Sequence, residues 1–269
     1  MSLISKFDII IVAECGQGQK KYGVEFGGRY ICDKLNIQPN ITFEYEKFND
    51  IDSYNSSDDL RNNYQNLSEY LMDNKANKAK MLLIGGDHSL SISSVDAFIQ
   101  LYKDELSILW IDAHADINDH VTSLTGNIHG MTLGYHHIKR NDTPKWRNNP
   151  CKFKSNQLYY FGIRDLDPAE KELIGEENIG YSIKDDDNLR KFIDNSKYLL
   201  ISFDVDALDP IYMDSTGVMA GNGLNPESIK DIISYSIKQN KLIHLDLMEF
   251  NPFIGDPEKS IESIRYILL

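Results

Sequence analysis

Cysteine is scarce in this chain of 269 residues, and the three thiols, Cys15, Cys32 and Cys151, are widely spaced and form no CxxC pair. The sequence therefore predicts neither a disulfide framework nor a thiolate metal site, and we expect three reduced thiols. Positive charge is also in short supply, since 28 Lys and Arg residues face 41 Asp and Glu residues and the formal net charge is −13. A surface this acidic repels phosphate backbones, which argues against a nucleic-acid partner.

Long apolar runs are missing as well. The first residues contain only a short run at 9–13, which Asp8 precedes, and they lack the cleavage pattern of a secretory signal. No other stretch reaches about 20 apolar residues, the length that a helix needs to cross a bilayer. We therefore expect a cytoplasmic protein that has no membrane partner.

The chain has instead a series of short apolar runs, rich in Ile, Leu and aromatic residues, that do not alternate with polar ones. Runs of this kind are typical of strands buried on both faces of a parallel sheet. They lie at residues 9–13, 81–84, 106–111, 158–163, 198–203 and 242–247. Helical spacing of apolar residues predicts helices within 58–73, 90–104 and 226–239.

This alternation of strands and helices predicts a single α/β domain over residues 1–269, with a mostly parallel central sheet and helices on both faces. Two polar stretches interrupt the pattern. Residues 49–59, rich in Asn and Asp, are expected to form a surface loop, and residues 185–187 a solvated turn.

The polar residues with the strongest chemical signal follow the apolar run at 106–111. Asp112, His114 and Asp116 alternate with small or apolar residues, so an extended backbone would project all three from one face. Two carboxylates and an imidazole that converge are costly to bury unless a cation neutralises them. The alternative, an exposed edge strand with incidental charges, fits poorly with the apolar run that leads into it.

Two further runs end in the same kinds of residue. Asp204 and Asp206 share a face after the run at 198–203, and His88 follows the run at 81–84, with Ser89 placed to cap the next helix. Open parallel sheets bind ligands at the carboxyl ends of their strands, so we expect these side chains to meet. Four carboxylates and two imidazoles are too many ligands for one tetrahedral zinc ion. The set suits a pair of harder divalent ions, foremost Mn²⁺, with carboxylates bridging them.

Five segments together resemble the signature motifs of the ureohydrolase superfamily, and those of arginases most. They are GGDHS at 85–89, DAHADIN at 112–118, GNIHG at 126–130, SFDVDALDP at 202–210 and DLMEFNP at 246–252. The segment GQKKYGVEFGGR at 18–29 is similar to the glycine-rich opening loop of arginases. The resemblance spans nearly the whole chain and implies an arginase-like three-layer α/β/α fold.

The resemblance implies a role for each matching residue. Two Mn²⁺ ions per chain would be held, one by His88, Asp112, Asp116 and Asp204 and the other by His114, Asp112, Asp204 and Asp206. Asp116 would also orient a hydroxide that bridges the ions, and Glu249 would pair with a substrate guanidinium. His129 would shuttle protons to the leaving amine, which departs badly unless it is protonated. The implied reaction converts L-arginine to L-ornithine and urea.

The preference for arginine rests on side chains that match positions which arginases use for the α-amino acid head. These are Asn118, Thr125, Asn127, Asp167 and Glu170. One departure is Val218, which stands where the family usually carries a Thr that faces the guanidinium pocket. Three alternatives stay open: hydrolysis of another amidine such as agmatine or formimidoylglutamate, a non-catalytic protein that senses arginine or ornithine, and a metal-dependent deacylase on a related fold.

The resemblance also implies a homo-oligomer, either a trimer or a hexamer. The chain stops soon after its last predicted helix, at 258–268, and lacks the tail with which many arginases strengthen a trimer. We therefore expect self-association without assigning the number of subunits.

Overall fold

The computed structural model describes residues 2–45, 58–76, 78–143 and 150–269. The strands are β1 (Ile9–Glu14), β2 (Ile41–Glu44), β3 (Met81–Ile84), β4 (Leu106–Ile111), β5 (Leu158–Phe161), β6 (Gly180–Ser182), β7 (Tyr198–Asp204) and β8 (Leu242–Met248). The helices are α1 (Gly27–Leu35), α2 (Asp58–Ala76), α3 (Ser91–Tyr102), α4 (Pro168–Glu176), α5 (Asp187–Asn195), α6 (Pro226–Lys238) and α7 (Pro257–Leu268).

In the part of the chain that the structure describes, the strands form an eight-stranded sheet in the order β2-β1-β3-β8-β7-β4-β5-β6. Every strand pairs in parallel with its neighbours. Parallel strands need crossover connections, which the helices supply here. The strand β8 lies late in the chain but enters the middle of the sheet, between β3 and β7.

The core has two parts, one on each face of the sheet. Consecutive strand residues alternate between them. Ile11 belongs to the same apolar cluster as Leu67 of α2 and Phe98 of α3, whereas Val12 belongs to the cluster that contains Ile31 of α1 and Ile264 of α7. Helices therefore cover both faces, and the predicted three-layer α/β/α arrangement is confirmed.

The helix α6 shows how local sequence sets these elements. The Asn225 side chain accepts a hydrogen bond from the backbone N–H of Ser228, and Pro226 opens the first turn. Ile229, Ile232 and Ile233 then form one buried face. The predicted helix at 226–239 is confirmed, and α3 lies within its predicted range.

Several local predictions are wrong or untested. Residues 185–187 are not simply a turn, because Asp186 caps α5 and Asp187 is its first residue. Ser89 does not cap the following helix; Asp87 accepts the hydrogen bond from the backbone N–H of Ser89 instead. Of the predicted loop at 49–59, positions 58–59 belong to α2 and the others lie outside the described residues.

The predicted strand at 158–163 ends early, at Phe161. Gly162 has φ +101°, a left-handed conformation that ends the strand and that other residue types rarely adopt. None of the helices in the described ranges combines the length and apolar composition that a membrane span needs.

Candidate active site and metal centre

The candidate site residues come from four strands that are neighbours in the sheet. Across the order β3-β8-β7-β4, the carboxyl ends lead to His88, Glu249, Asp204 and Asp112 in turn. Each of these residues is at most 3% exposed. The parallel topology thus gathers residues from distant parts of the chain at one edge of the sheet.

His88 lies at the centre of the first cluster. Its Nδ1 atom is 3.0 Å from Asp112 Oδ2, 3.1 Å from Asp116 Oδ2 and 3.2 Å from Asp204 Oδ2. This buried nitrogen has no hydrogen-bond partner among the described residues. An imidazole lone pair facing three carboxylates is repelled by them unless a cation lies between, so the donor set fits a divalent metal ion.

A second cluster shares Asp112. His114 Nδ1 lies 3.1 Å from Asp206 Oδ2 and 3.4 Å from Asp112 Oδ1. Asp112 thus directs one carboxylate oxygen to each histidine, which is the arrangement that a carboxylate bridging two ions requires. Asp204 lies in the first cluster, and its Oδ1 accepts a hydrogen bond from the backbone N–H of Asp206.

The pKa shifts in these clusters reflect crowded negative charge. Burial and repulsion by Asp112 raise the pKa of Asp206 to about 6, and burial with repulsion by Asp206 and Asp112 raises the pKa of Asp204 well above its usual range. Burial lowers the pKa of His88, but the surrounding carboxylates of Asp112, Asp116 and Asp204 outweigh burial and raise it well above normal. The crowded carboxylates therefore favour a bound positive charge, which a divalent cation would supply.

The backbone of two acidic residues is left-handed. Asp116 has φ +49° and Glu249 has φ +69°, values that non-glycine residues adopt at a cost of about 1–3 kcal/mol. The prediction that residues 112–116 are extended is wrong, because β4 ends at Ile111 and the chain bends before Asp116. The bend, and not strand alternation, turns Asp116 towards His88.

Both carboxylate oxygens of Glu249 have hydrogen-bond partners. Oε1 accepts a hydrogen bond from the backbone N–H of His88 at 2.8 Å and lies 3.0 Å from His129 Nδ1. Oε2 accepts a hydrogen bond from Gln19 Nε2 at 2.5 Å. Burial lowers the pKa of His129, but the charge of Glu249 outweighs it and raises the pKa to about 9. His129 and Glu249 are thus paired at the floor of the site.

A cavity of about 230 Å³ opens above these groups. It is lined by His114, Asp116, Asn118, Thr125, His129, Gly130, Asp165, Asp167, Glu170, Asp204, Asp206, Val218 and Glu249. Its walls therefore combine residues of both clusters with four of the five side chains predicted to bind the α-amino acid head. The fifth, Asn127, does not line it, although its backbone N–H donates to Thr125 Oγ1.

The residues predicted to bind the α-amino acid head differ in how far their polar atoms are already engaged in hydrogen bonds within the protein. Asn118 Nδ2 donates to Asp167 Oδ2 at 3.0 Å, which places an amide and a carboxylate together in the cavity wall. Glu170 instead caps α4, because its two oxygens accept hydrogen bonds from the backbone N–H groups of Ile117 and Asp167. Burial and repulsion by Asp116 raise the pKa of Glu170 to about 8. Glu170 shapes the wall of the cavity through these backbone contacts.

Comparison with known proteins agrees with this geometry. A model of the Arginase family matches residues 6–266. The chain belongs to the Arginase family. Human arginase-1 is 31% identical over an alignment of 297 positions, which covers 98% of this chain and 91% of that protein. Plasmodium falciparum arginase is 31% identical over 259 residues, which cover 85% of this chain but only 62% of that longer protein.

Solved structures show the same fold. Arginase from Bacillus caldovelox superposes with a TM-score of 0.81 at 22% identity, covering 96% of each chain. Entamoeba histolytica arginase, in complex with L-ornithine, gives 0.80 at 22% identity and covers 96% of this chain and 95% of that one. Formimidoylglutamase from Bacillus subtilis gives 0.71 at 14% identity, covering 97% and 84%. Members of the Arginase family are metal-dependent hydrolases of guanidino C–N bonds, but they differ in substrate.

Two residues of this Arginase-family chain were missed by sequence reasoning. Gln19 is 5% exposed and bonds Glu249, yet within the segment 18–29 nothing distinguishes it from other polar loop residues. Asp165 lines the cavity and lies 3.9 Å from His114 Nε2. The available signal for Asp165 was its place two residues before Asp167, which the resemblance to arginases had marked, whereas the contact of Gln19 joins residues 230 positions apart in the chain.

The departure at Val218 lies where the resemblance implies. Val218 lines the same cavity as Glu249 and is 39% exposed. The loop beneath it is held by Lys21, whose ammonium donates a hydrogen bond to the carbonyl of Gly217. A β-branched apolar side chain therefore stands in the wall of the cavity that Glu249 also lines.

Proposed function

We propose that this chain hydrolyses the guanidinium group of L-arginine to give L-ornithine and urea, and that it uses two Mn²⁺ ions. The observation that carries the proposal is the pair of histidine–carboxylate clusters sharing Asp112, with Glu249 lining the same cavity. Membership of the Arginase family and the fold shared with an ornithine-bound arginase support it.

The first ion would be held by His88, Asp112, Asp116 and Asp204, and the second by His114, Asp112, Asp204 and Asp206. A carboxylate-rich set with two imidazoles suits Mn²⁺ better than zinc. When bound, such a pair of ions supplies a hydroxide nucleophile near neutral pH.

Glu249 would position the guanidinium. A carboxylate has about four acceptor positions. Three are occupied by Gln19, by the backbone N–H of His88 and by His129, so a position on Oε2 stays free for a substrate N–H. A second substrate N–H can replace His129 on Oε1, which gives the planar two-point contact that guanidinium groups make with carboxylates.

His129 would then be free to transfer a proton. Its pKa of about 9 keeps it protonated at neutral pH while it rests on Glu249. Water adds to the guanidinium carbon and releases one proton to solvent. The bond from that carbon to the side-chain nitrogen then breaks, and His129 gives its proton to the departing amine. The hydroxyl of the intermediate returns a proton to His129 as it becomes the carbonyl of urea. The products are urea and the δ-amine of ornithine.

Arginine is favoured over agmatine because the cavity wall offers groups for an α-amino acid head. Asn118, Thr125 and Asp167 line the cavity together. An amide and a hydroxyl can donate to an α-carboxylate, and Asp167 can accept from an α-ammonium. Agmatine has neither group, so it would leave these side chains unused.

The test is urea release by the Mn²⁺-loaded protein, with L-arginine and agmatine offered separately. We expect activity on L-arginine, its loss in Glu249→Gln, and a rise in KM without an equal fall in kcat in Asn118→Ala. Activity on agmatine alone would contradict the substrate assignment. No urea from either substrate, with two ions bound per chain, would contradict the proposed reaction.

A further inference from the structure

A buried row of polar side chains runs away from the first metal cluster, and the proposed reaction uses none of them beyond His88. His88 Nε2 lies 2.8 Å from Ser202 Oγ, and Ser202 Oγ lies 3.0 Å from Ser91 Oγ. Ser91 Oγ donates to Asp246 Oδ2 at 2.8 Å. All four residues are fully buried. An unbroken hydrogen-bonded row thus joins a candidate metal ligand to a carboxylate outside the site.

The fold builds this row at a fixed place. Ser202 of β7 and Asp246 of β8 are directly paired across the sheet. Ser91 opens α3, and Ser94 follows one turn later on the same side of that helix. Asp246 Oδ1 accepts from Ser94 Oγ at 2.8 Å and from His244 Nε2 at 2.6 Å, so both carboxylate oxygens are anchored.

The direction of each hydrogen bond follows from counting protons. A hydroxyl carries one proton, and a carboxylate can only accept. Because Ser91 gives its proton to Asp246, Ser91 must accept from Ser202. Ser202 has then used its own proton and must accept from His88, which therefore carries a proton on Nε2. The lone pair of a neutral His88 is left on Nδ1, the atom that faces Asp112, Asp116 and Asp204.

We infer that Asp246 is a positioning residue that sets the tautomer of His88 through Ser91 and Ser202, so that Nδ1 is the atom offered to the first metal ion. This inference rests on the proposed metal pair. Ring stacking supports it, because His88 lies parallel to Trp110 with centroids 4.1 Å apart and an interplanar angle of 9°. Stacking fixes the plane of the ring, and the row of hydroxyls fixes which nitrogen carries the proton.

The first test compares Ser91→Ala with Ser94→Ala. Both substitutions remove a buried hydroxyl that donates to Asp246 from the same helix, but only Ser91 lies in the row that ends at His88. Mutation of the residues that hydrogen-bond to metal-ligating histidines typically lowers metal affinity by about 10–100-fold. In Ser91→Ala, we expect the Mn²⁺ affinity of one of the two metal sites, measured by competition with a chelator, to fall by about 10–100-fold. In Ser94→Ala it should change by less than about threefold, with a similar loss of thermal stability in both.

A second variant reverses the row. In Asp246→Asn, the two donors at Oδ1, Ser94 and His244, hold the amide oxygen there and turn the amide NH₂ towards Ser91. Ser91 then donates to Ser202, and Ser202 donates to His88 Nε2. The proton of His88 moves to Nδ1, so we expect a larger loss of affinity at one site than in Ser91→Ala.

A spectroscopic measurement can identify the tautomer of His88 directly. In protein labelled with ¹⁵N-histidine and loaded with diamagnetic Zn²⁺, His88 should show a slowly exchanging Nε2–H proton. The same signal should persist in Ser94→Ala. A His88 spectrum with Nε2 unprotonated would overturn the inference.

The outcomes separate this inference from the proposed function. Equal affinity losses in Ser91→Ala and Ser94→Ala, in a protein that binds two ions and releases urea, would overturn the inference alone. A wild-type chain that binds no divalent ion would overturn both.

Discussion

Replacement of Gln19 by leucine tests whether Glu249 needs its third hydrogen bond. Gln19 is 5% exposed, and its Nε2 is the donor that holds Glu249 Oε2. Leucine has nearly the same volume but no polar atoms, so it keeps the space filled and removes only the bond. Alanine would be less informative, because an emptied position could let the substrate approach Oε2 from a new side.

The expected size of the effect follows from the contacts of Glu249. A hydrogen bond to a charged group contributes about 1.5–3 kcal/mol, and each 1.4 kcal/mol is a factor of about ten in kcat/KM. His88 and His129 still donate to Oε1 in the variant, so the lower end applies. We expect kcat/KM for L-arginine to fall about tenfold, mostly through a higher KM, since Gln19 does not line the reaction cavity.

The assay is steady-state urea release by the Mn²⁺-loaded protein, with Gln157→Leu as the matched control. Gln157 is also 5% exposed and donates to the carbonyls of Lys103 and Leu106, at the opposite edge of the sheet. The control should lose stability without a change in KM. If Gln19→Leu keeps the wild-type KM and kcat, the reasoning that Gln19 orients Glu249 is refuted.

Two other changes have defined outcomes. Val218→Thr adds a hydroxyl to the wall of the cavity that Glu249 lines. One hydrogen bond from this hydroxyl to the guanidinium contributes ~0.5–1.5 kcal/mol, so kcat/KM for L-arginine should rise about 2- to 10-fold. An unchanged value would show that position 218 does not contact the guanidinium. Burial lowers the pKa of both His136 and His137 to about 4, so the unfolded chain takes up protons first as the pH falls below about 6.5. The stability that each neutral histidine contributes is fully present above that pH and is lost as the pH falls towards 4. Each histidine should therefore lower the free energy of unfolding by about 2 kcal/mol between pH 7 and pH 5. Urea denaturation in the presence of a metal chelator should show this fall in the free energy of unfolding in the wild type. An equal fall in the double variant His136→Gln/His137→Gln would contradict the attribution to these two histidines.

The positions of the central strands and of four helices were predictable because apolar residues report burial directly, whereas the order of the strands in the sheet was not predicted. The runs before His88, Asp112, Asp204 and Glu249 correspond to four central strands, and their polar ends do converge. The short edge strands β2 and β6 and the helices α1, α4 and α5 were not predicted. Edge strands are partly exposed, so their sequences lack the apolar runs that mark central ones.

Backbone conformation in the site could not be read from residue order. Alternation at 112–116 suggested an extended strand, but the left-handed backbone of Asp116 produces the same convergence by a bend. Glu170 looked available for substrate, whereas its oxygens are occupied by backbone N–H groups of Ile117 and Asp167. Such competition between ligand binding and local capping depends on tertiary distances, which sequence spacing does not encode.

The central position of β8 has a consequence for how the chain acquires its site. One half of the sheet, β2-β1-β3, carries His88, and the other half, β7-β4-β5-β6, carries the remaining candidate ligands. These halves are joined within the sheet by β8. During synthesis on the ribosome, the first metal cluster therefore stays divided until β8 has emerged and inserted between them. The second cluster is formed by residues that follow β4 and β7 and needs no residue from the other half, whereas closure of the first cluster requires both halves of the sheet.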